Sequence, residues 1–122
     1  MTIRVVRLGS PRATGEGPRI GTVRRPPRGV KKQDYARLDY YDVWLPELAP
    51  SAKLIKTALA DWERFSKRYR QEMREREHLL EVLGALSRTA DFSVGCYCED
   101  ESRCHRSILH KLLAEHGARI AV

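Results

Sequence analysis

The stretch DFSVGCYCEDESRCHRSILHKLLAEHG, residues 91–117, decides the fold. In its first part Phe92, Val94, Cys96 and Cys98 fall on one face of an extended chain, and Ser93, Gly95 and Tyr97 fall on the other. That period of two is a β-strand, expected over residues 91–98. An acidic loop, residues 99–103, then leads to a different period. Ile108, Leu109, Leu112 and Leu113 share one face of a helix expected over residues 104–116, and Gly117 ends it as a C′ glycine. At about 100° per residue, His105 and His116 point into the apolar arc, Cys104 and Arg106 mark its edges, and His110 faces solvent.

Working outward, the remaining chain repeats the strand-to-helix theme. Residues 3–8 alternate apolar and basic side chains and read as a first strand. Residues 9–18 are rich in Gly, Pro and Ser and form a loop, and residues 19–23 form a short second strand. Pro26, Pro27 and Gly29 exclude regular structure from residues 24–32, leaving a stiff, basic, exposed loop. Residues 40–45 are aromatic and β-branched and read as a strand, bounded by Pro46 and Pro50. Ser51 caps a helix through residue 60, and Asp61 caps a second. Ile55, Leu59, Trp62, Phe65 and Tyr69 form its apolar stripe, and Leu79, Leu80, Val82, Leu83 and Leu86 mark a further helix over residues 75–88. A short strand closes the chain at residues 118–122. Alternating strands and helices predict an α/β fold: residues 1–122 as a single domain with a small, mostly parallel sheet flanked by helices in a Rossmann-like three-layer arrangement.

Composition narrows the function classes. At 122 residues the chain can bury one core without disulfides, and 42% hydrophobic with 32% charged residues excludes a disordered chain. No apolar run is long enough for a membrane helix, which needs about 18 residues. The arginine-interrupted N-terminus lacks the apolar segment of a signal peptide, so a cytoplasmic location and no membrane partner are expected. Three cysteines confined to residues 96–104 are thiols of a reducing compartment rather than a secreted disulfide framework. The net charge of +7 is uneven. Residues 1–37 hold ten basic and two acidic residues, 10 − 2 = +8, whereas the remainder holds thirteen and fourteen, 13 − 14 = −1. A basic first third suits an anionic partner, either a phosphorylated small molecule or a nucleic-acid backbone, or else it solvates a loop.

Residues 96–106 are the most chemically loaded stretch. They run from the carboxyl end of a strand to the N-terminus of a helix, where open α/β sheets gather ligands. Three readings fit. In the first, Cys98 or Cys104 is a nucleophile, His105 its base, and Arg103 and Arg106, with Arg24, Arg25 and Arg28 from the basic loop, hold an anion such as a nucleotide. In the second, Cys96, Cys98, Cys104 and His105 ligate zinc, although their spacing is not that of a standard finger or ribbon. In the third, the cysteines pack as small apolar side chains and no cofactor is present. A phosphatase-type loop fails on spacing, because Arg103 lies one position too close to Cys98.

These residues resemble a known family. The Cys-Tyr-Cys, acidic loop and Cys-His-Arg of residues 94–109 look like the C-terminal signature of the YeaO-like family, domain of unknown function 488. Residues 42–51, Asp-Val-Trp-Leu-Pro-Glu-Leu-Ala-Pro-Ser, resemble its central motif, and residues 24–29 its Arg-x-x-Pro-Arg-Gly element. Pro26 and Val23 depart from it, where many relatives carry tryptophan and an acidic residue. The resemblance implies a prokaryotic α/β domain and assigns no activity. The sequence therefore predicts a crevice between the basic loop and the Cys/His/Arg turn that binds an anionic small molecule, with a nucleic-acid-binding module and a Cys/His metal-binding protein as alternatives. It leaves enzymatic activity and oligomeric state open.

Overall fold

The structure is a computed structural model that describes residues 1–57, 60–98 and 104–121. Four strands, β1 (Ile3–Arg7), β2 (Arg19–Gly21), β3 (Val43–Trp44) and β4 (Phe92–Cys96), form one sheet in the order β1-β4-β2-β3. Every pairing is parallel, so the expected single-domain α/β fold with a mostly parallel sheet is the fold observed. The helices are α1 (Ala52–Ile55), α2 (Trp62–Arg74), α3 (Glu77–Leu86) and α4 (His105–Glu115). No helix among the described residues is long and apolar enough to cross a membrane.

Several elements differ in extent from their sequence patterns. The strand predicted over residues 91–98 stops at Cys96, where the ladder partner β1 also ends, with Arg7 opposite Cys96. The helix started by Ser51 holds only one turn as α1: the Ser51 Oγ accepts from the Leu54 N–H, but the chain turns after Ile55, and Leu59 lies outside the described residues. The closing strand reduces to a single bridge, Ile120 beside Ile3.

Burial follows the helical stripes. Phe65, Tyr69 and Met73 from α2, Leu80 and Leu83 from α3, and Ile108, Leu109, Leu112 and Leu113 from α4 pack with Ile3, Phe92 and Val94 of the sheet. A second, smaller cluster forms at the carboxyl end of the strands from Leu8, Val23, Tyr41, Cys96 and Cys104. Two sheet positions admit only glycine. A Cβ on Gly21 would meet the Tyr41 ring at 2.3 Å, and one on Gly95 would meet the Val6 carbonyl oxygen at the same distance. The bare backbone of Gly21 lets the Tyr41 ring close over the end of β2, and that of Gly95 lets β1 approach β4.

Strand order positions the site. β4, although last in the chain, lies between β1 and β2, so the loops leaving β1 and β2 diverge to either side of its carboxyl end. Loops that part around a strand end open a crevice there, and Cys96 is that strand end.

Candidate functional site

The strand β4 delivers Cys96 inward, and the N-cap of α4 delivers Cys104 beside it; both sulfurs are buried, at 1% and 2% exposure. Cys98 lies two residues past the strand and is exposed. His105, the first residue of α4, points toward the sheet and is 8% exposed. Its Nε2 lies 2.7 Å from the Thr22 carbonyl oxygen. A carbonyl only accepts, so Nε2 carries the proton and Nδ1 presents its lone pair. Nδ1 faces the Cys104 Sγ at 3.8 Å. Thr22 is itself fixed, because its N–H and its hydroxyl both donate to the Gly95 carbonyl. The Tyr69 ring packs on the imidazole from the core side, centroids 5.6 Å apart. Two strand ends and one core aromatic thus hold one imidazole.

Burial lowers the His105 pKa to about 4, so the ring is neutral at pH 7. The three thiols contact one another and share their protons unequally. Thiol donors from Cys104 and Cys96 hold Cys98 well below the usual thiol range. Cys96 moves up, through its contacts with Cys104 and Cys98 and through burial. For Cys104 the contact with Cys96 pulls downward, but the contact with Cys98 and burial outweigh it, giving about 11. The exposed sulfur is therefore the readiest of the three to ionise. Arg106, expected at the edge of the helix's apolar arc, is buried instead at 4% exposure, and its Nε has no hydrogen-bond partner among the described residues.

Two cavities open at this edge of the sheet. One, of about 410 Å³, is lined by Cys96, Cys98 and His105 on one side and by Arg24, Arg25 and Lys56 on the other. The second, of about 740 Å³, is lined by Arg7, Arg25, Arg28, Tyr40 and Tyr97 among others. Arg25 and Tyr97 border both. The Tyr97 hydroxyl donates to the Arg25 carbonyl at 2.9 Å, a strut that pins the basic loop over the residue following β4. Arg24 is anchored: its Nε and one Nη donate to the Pro50 and Ala49 carbonyls.

The sequence-predicted residues thus divide. Cys96, Cys98, His105, Arg24 and Arg25 share one cavity, and Arg28 lies in the adjoining one. Cys104 backs the imidazole from beneath the surface. Arg103 lies outside the described residues. The sequence reading missed Tyr97 as a strut and Arg7 and Tyr40 as lining. It also counted Arg12 and Arg19 among the ten basic residues of a first third suited to an anionic partner. Arg19 is instead wholly buried against Glu16, and Arg12 pairs with Asp39 and Asp42. The available signal was Glu16 itself, a lone acid in a basic stretch, three residues before an arginine.

A small parallel α/β sheet that carries thiols and an imidazole at its carboxyl edge, beside a cavity also lined by Arg24 and Arg25, places the chain among small single-domain α/β proteins. The chain belongs to the DUF488 family: residues 3–117 match the family profile DUF488-N3a, described as "Active DUF488-N3 subclade". No curated protein and no solved structure matches the chain significantly.

Proposed function

We propose that the protein binds a small anionic ligand, such as a phosphorylated compound or a nucleotide, in the crevice between the basic loop and the Cys/His/Arg turn. The observation that carries this reading is the shared wall: Arg24, Arg25 and Lys56 face Cys96, Cys98 and His105 across one cavity. Cations that face a concave, partly apolar site attract and orient an anion. Arg24 spends two donors on backbone carbonyls, so Arg25 and Arg28 supply the mobile charge. The larger cavity gives such a ligand room beyond its charged group, beside Tyr40 and Tyr97. The description of the matched subclade as active supports a site that does more than pack.

Calorimetric titration with inorganic phosphate, adenosine monophosphate and a short single-stranded oligonucleotide tests this reading. Saturable binding of the small anions, weakened about ten- to a hundred-fold by Arg25→Ala through loss of a charge-assisted hydrogen bond, is the expected result. Lys111, exposed on α4, is the control position: K111A leaves the affinity unchanged. Absence of small-anion binding refutes the proposal. Tighter oligonucleotide binding with a steep salt slope replaces it with a nucleic-acid interface.

A further inference from the structure

We infer that Cys96, Cys104 and His105, completed by Cys98, form a binding site for a thiophilic divalent cation of the zinc type. The inference goes beyond the anion reading and does not depend on it.

One donor atom from each of Cys96, Cys104 and His105 lies within 4.8 Å of the others. Tetrahedral zinc, with bonds of about 2.3 Å to sulfur and 2.0–2.1 Å to nitrogen, separates a sulfur from a nitrogen donor by about 3.6 Å and two sulfurs by about 3.8 Å. The Nδ1 to Sγ separation of 3.8 Å is therefore already near a coordination edge. The three donors need to close by about an ångström at most to surround an ion. The fourth donor lies on the same cavity wall, since Cys98 lines the cavity that Cys96 and His105 also line.

The imidazole is preset for the task. Metal-bound histidines ordinarily give their second ring N–H to a carbonyl or carboxylate, which fixes tautomer and orientation. His105 does this through Nε2–H to the Thr22 carbonyl, leaving Nδ1 as the ligand atom on the side of the sulfurs. Surroundings and access agree. Arg106, buried and with its Nε unpartnered among the described residues, offers a compensating positive charge for a set of three thiolates and one imidazole. The cavity that reaches Cys96, Cys98 and His105 supplies an entry path. Mere packing explains small buried sulfurs, but it does not require an imidazole lone pair aimed at one of them.

The test uses the full chain, first purified from zinc-supplemented culture and then stripped with a chelator and reduced. Elemental analysis is expected to find one zinc per chain before stripping. Titration with Co²⁺ is expected to give thiolate-to-cobalt charge-transfer absorption and the intense visible bands of four-coordinate cobalt, saturating at one equivalent. Cys104→Ser and His105→Gln should weaken Co²⁺ binding at least ten-fold. Cys98→Ser alters an exposed residue and leaves the core intact; it should retain binding while its charge-transfer intensity falls from that of three thiolates to that of two. Zinc well below one equivalent together with a featureless cobalt titration overturns the inference. Unchanged cobalt spectra in C98S and C104S overturn it as well. Phosphate titration of the stripped protein reads the anion site separately, so the two proposals fail independently.

Discussion

Replacing Glu16 by glutamine exchanges one oxygen for an NH2 group at the centre of a buried network, and the structure sets what this costs. The Oε1 of Glu16 accepts from the Ala13 N–H and an Nη of Arg19; Oε2 accepts from the Arg19 Nε and the Ser93 hydroxyl. Arg19 is fully buried and Glu16 is 3% exposed. Glutamine leaves the arginine charge without its counter-ion and aims two donors at donors. Breaking a buried pair in this way costs about 3–5 kcal/mol. An independent figure comes from titration. Burial pushes the Glu16 carboxyl up, but hydrogen bonds from Arg19, Ser93 and Ala13 outweigh it and bring the pKa from 4.5 to about 2. A displacement of about 2.5 units corresponds to roughly 3 kcal/mol at 1.36 kcal/mol per unit. Because the folded-state pKa is lowered, this stabilisation is present above pH 4.5 and is lost as pH falls toward about 2. Urea unfolding of wild type and E16Q, followed by circular dichroism from pH 7 down to pH 2, checks both figures. The stability difference should be about 3 kcal/mol at neutral pH and shrink toward zero near pH 2, where wild type carries a protonated carboxyl. A difference below about 1 kcal/mol, the range of a solvated surface pair, or one independent of pH refutes the reasoning.

Other outcomes follow from the same geometry. Tyr97→Phe removes the strut to the Arg25 carbonyl, so phosphate affinity should fall several-fold in calorimetry while the urea midpoint moves little. Iodoacetamide should alkylate Cys98 in stripped, folded protein well before Cys96 and Cys104, which are buried; peptide mass spectrometry of a time course reads the order, and simultaneous labelling contradicts it. Gly95→Ala puts a Cβ 2.3 Å from the Val6 carbonyl oxygen and forces β1 from β4, so it should destabilise by on the order of 2–4 kcal/mol in the same urea assay, as overpacking against backbone does.

The sequence exposed those parts of the fold whose periodicity is strong. The α4 stripe is clean because that helix buries one face against the core, whereas β4 is buried at all five positions and alternates only because small Ser93 and Gly95 occupy its second face; both elements lie where the pattern puts them. The inward imidazole was legible for the same reason: position 105 falls in the arc of Ile108, Leu109 and Leu112. Extents were less legible. β3 is only two exposed residues, and its pairing with β2 through Ile20 and Val43 rests on tertiary contact rather than on local pattern. The role of each arginine was not legible at all. Arg12, Arg19, Arg24 and Arg25 look alike in a charge count, yet one is surface-paired, one is buried, one is tied to backbone and one borders both cavities. Long-range partners decide that division, such as Asp42 for Arg12 at thirty residues' separation.

This sorting of arginines sets how the crevice works. Arg19 donates through one Nη to the Ser10 and Asp39 carbonyls, so a charge sealed beneath the surface holds the segments on either side of the larger cavity's Gly9 and Tyr40. Arg24 anchors the root of the basic loop to residues 49 and 50, and the Tyr97 hydroxyl anchors the next residue. Two consecutive fixed points leave little backbone freedom to lose when a ligand arrives, which lowers the entropic cost of binding. They also hold Arg25 over the strand that ends in Cys96. On the proposed reading, a ligand anion drawn in by Arg25 and Arg28 would be delivered to the wall of sulfurs and imidazole, whether those groups stand free or hold a cation. In the second case the cation adds its own attraction for the same anion, and the two sites become coupled. Zinc loading should then tighten phosphate binding, and phosphate should tighten zinc by the same factor, as linkage requires. A coupling factor of one, with neither ligand changing the other's affinity, would show that the two do not meet in one crevice.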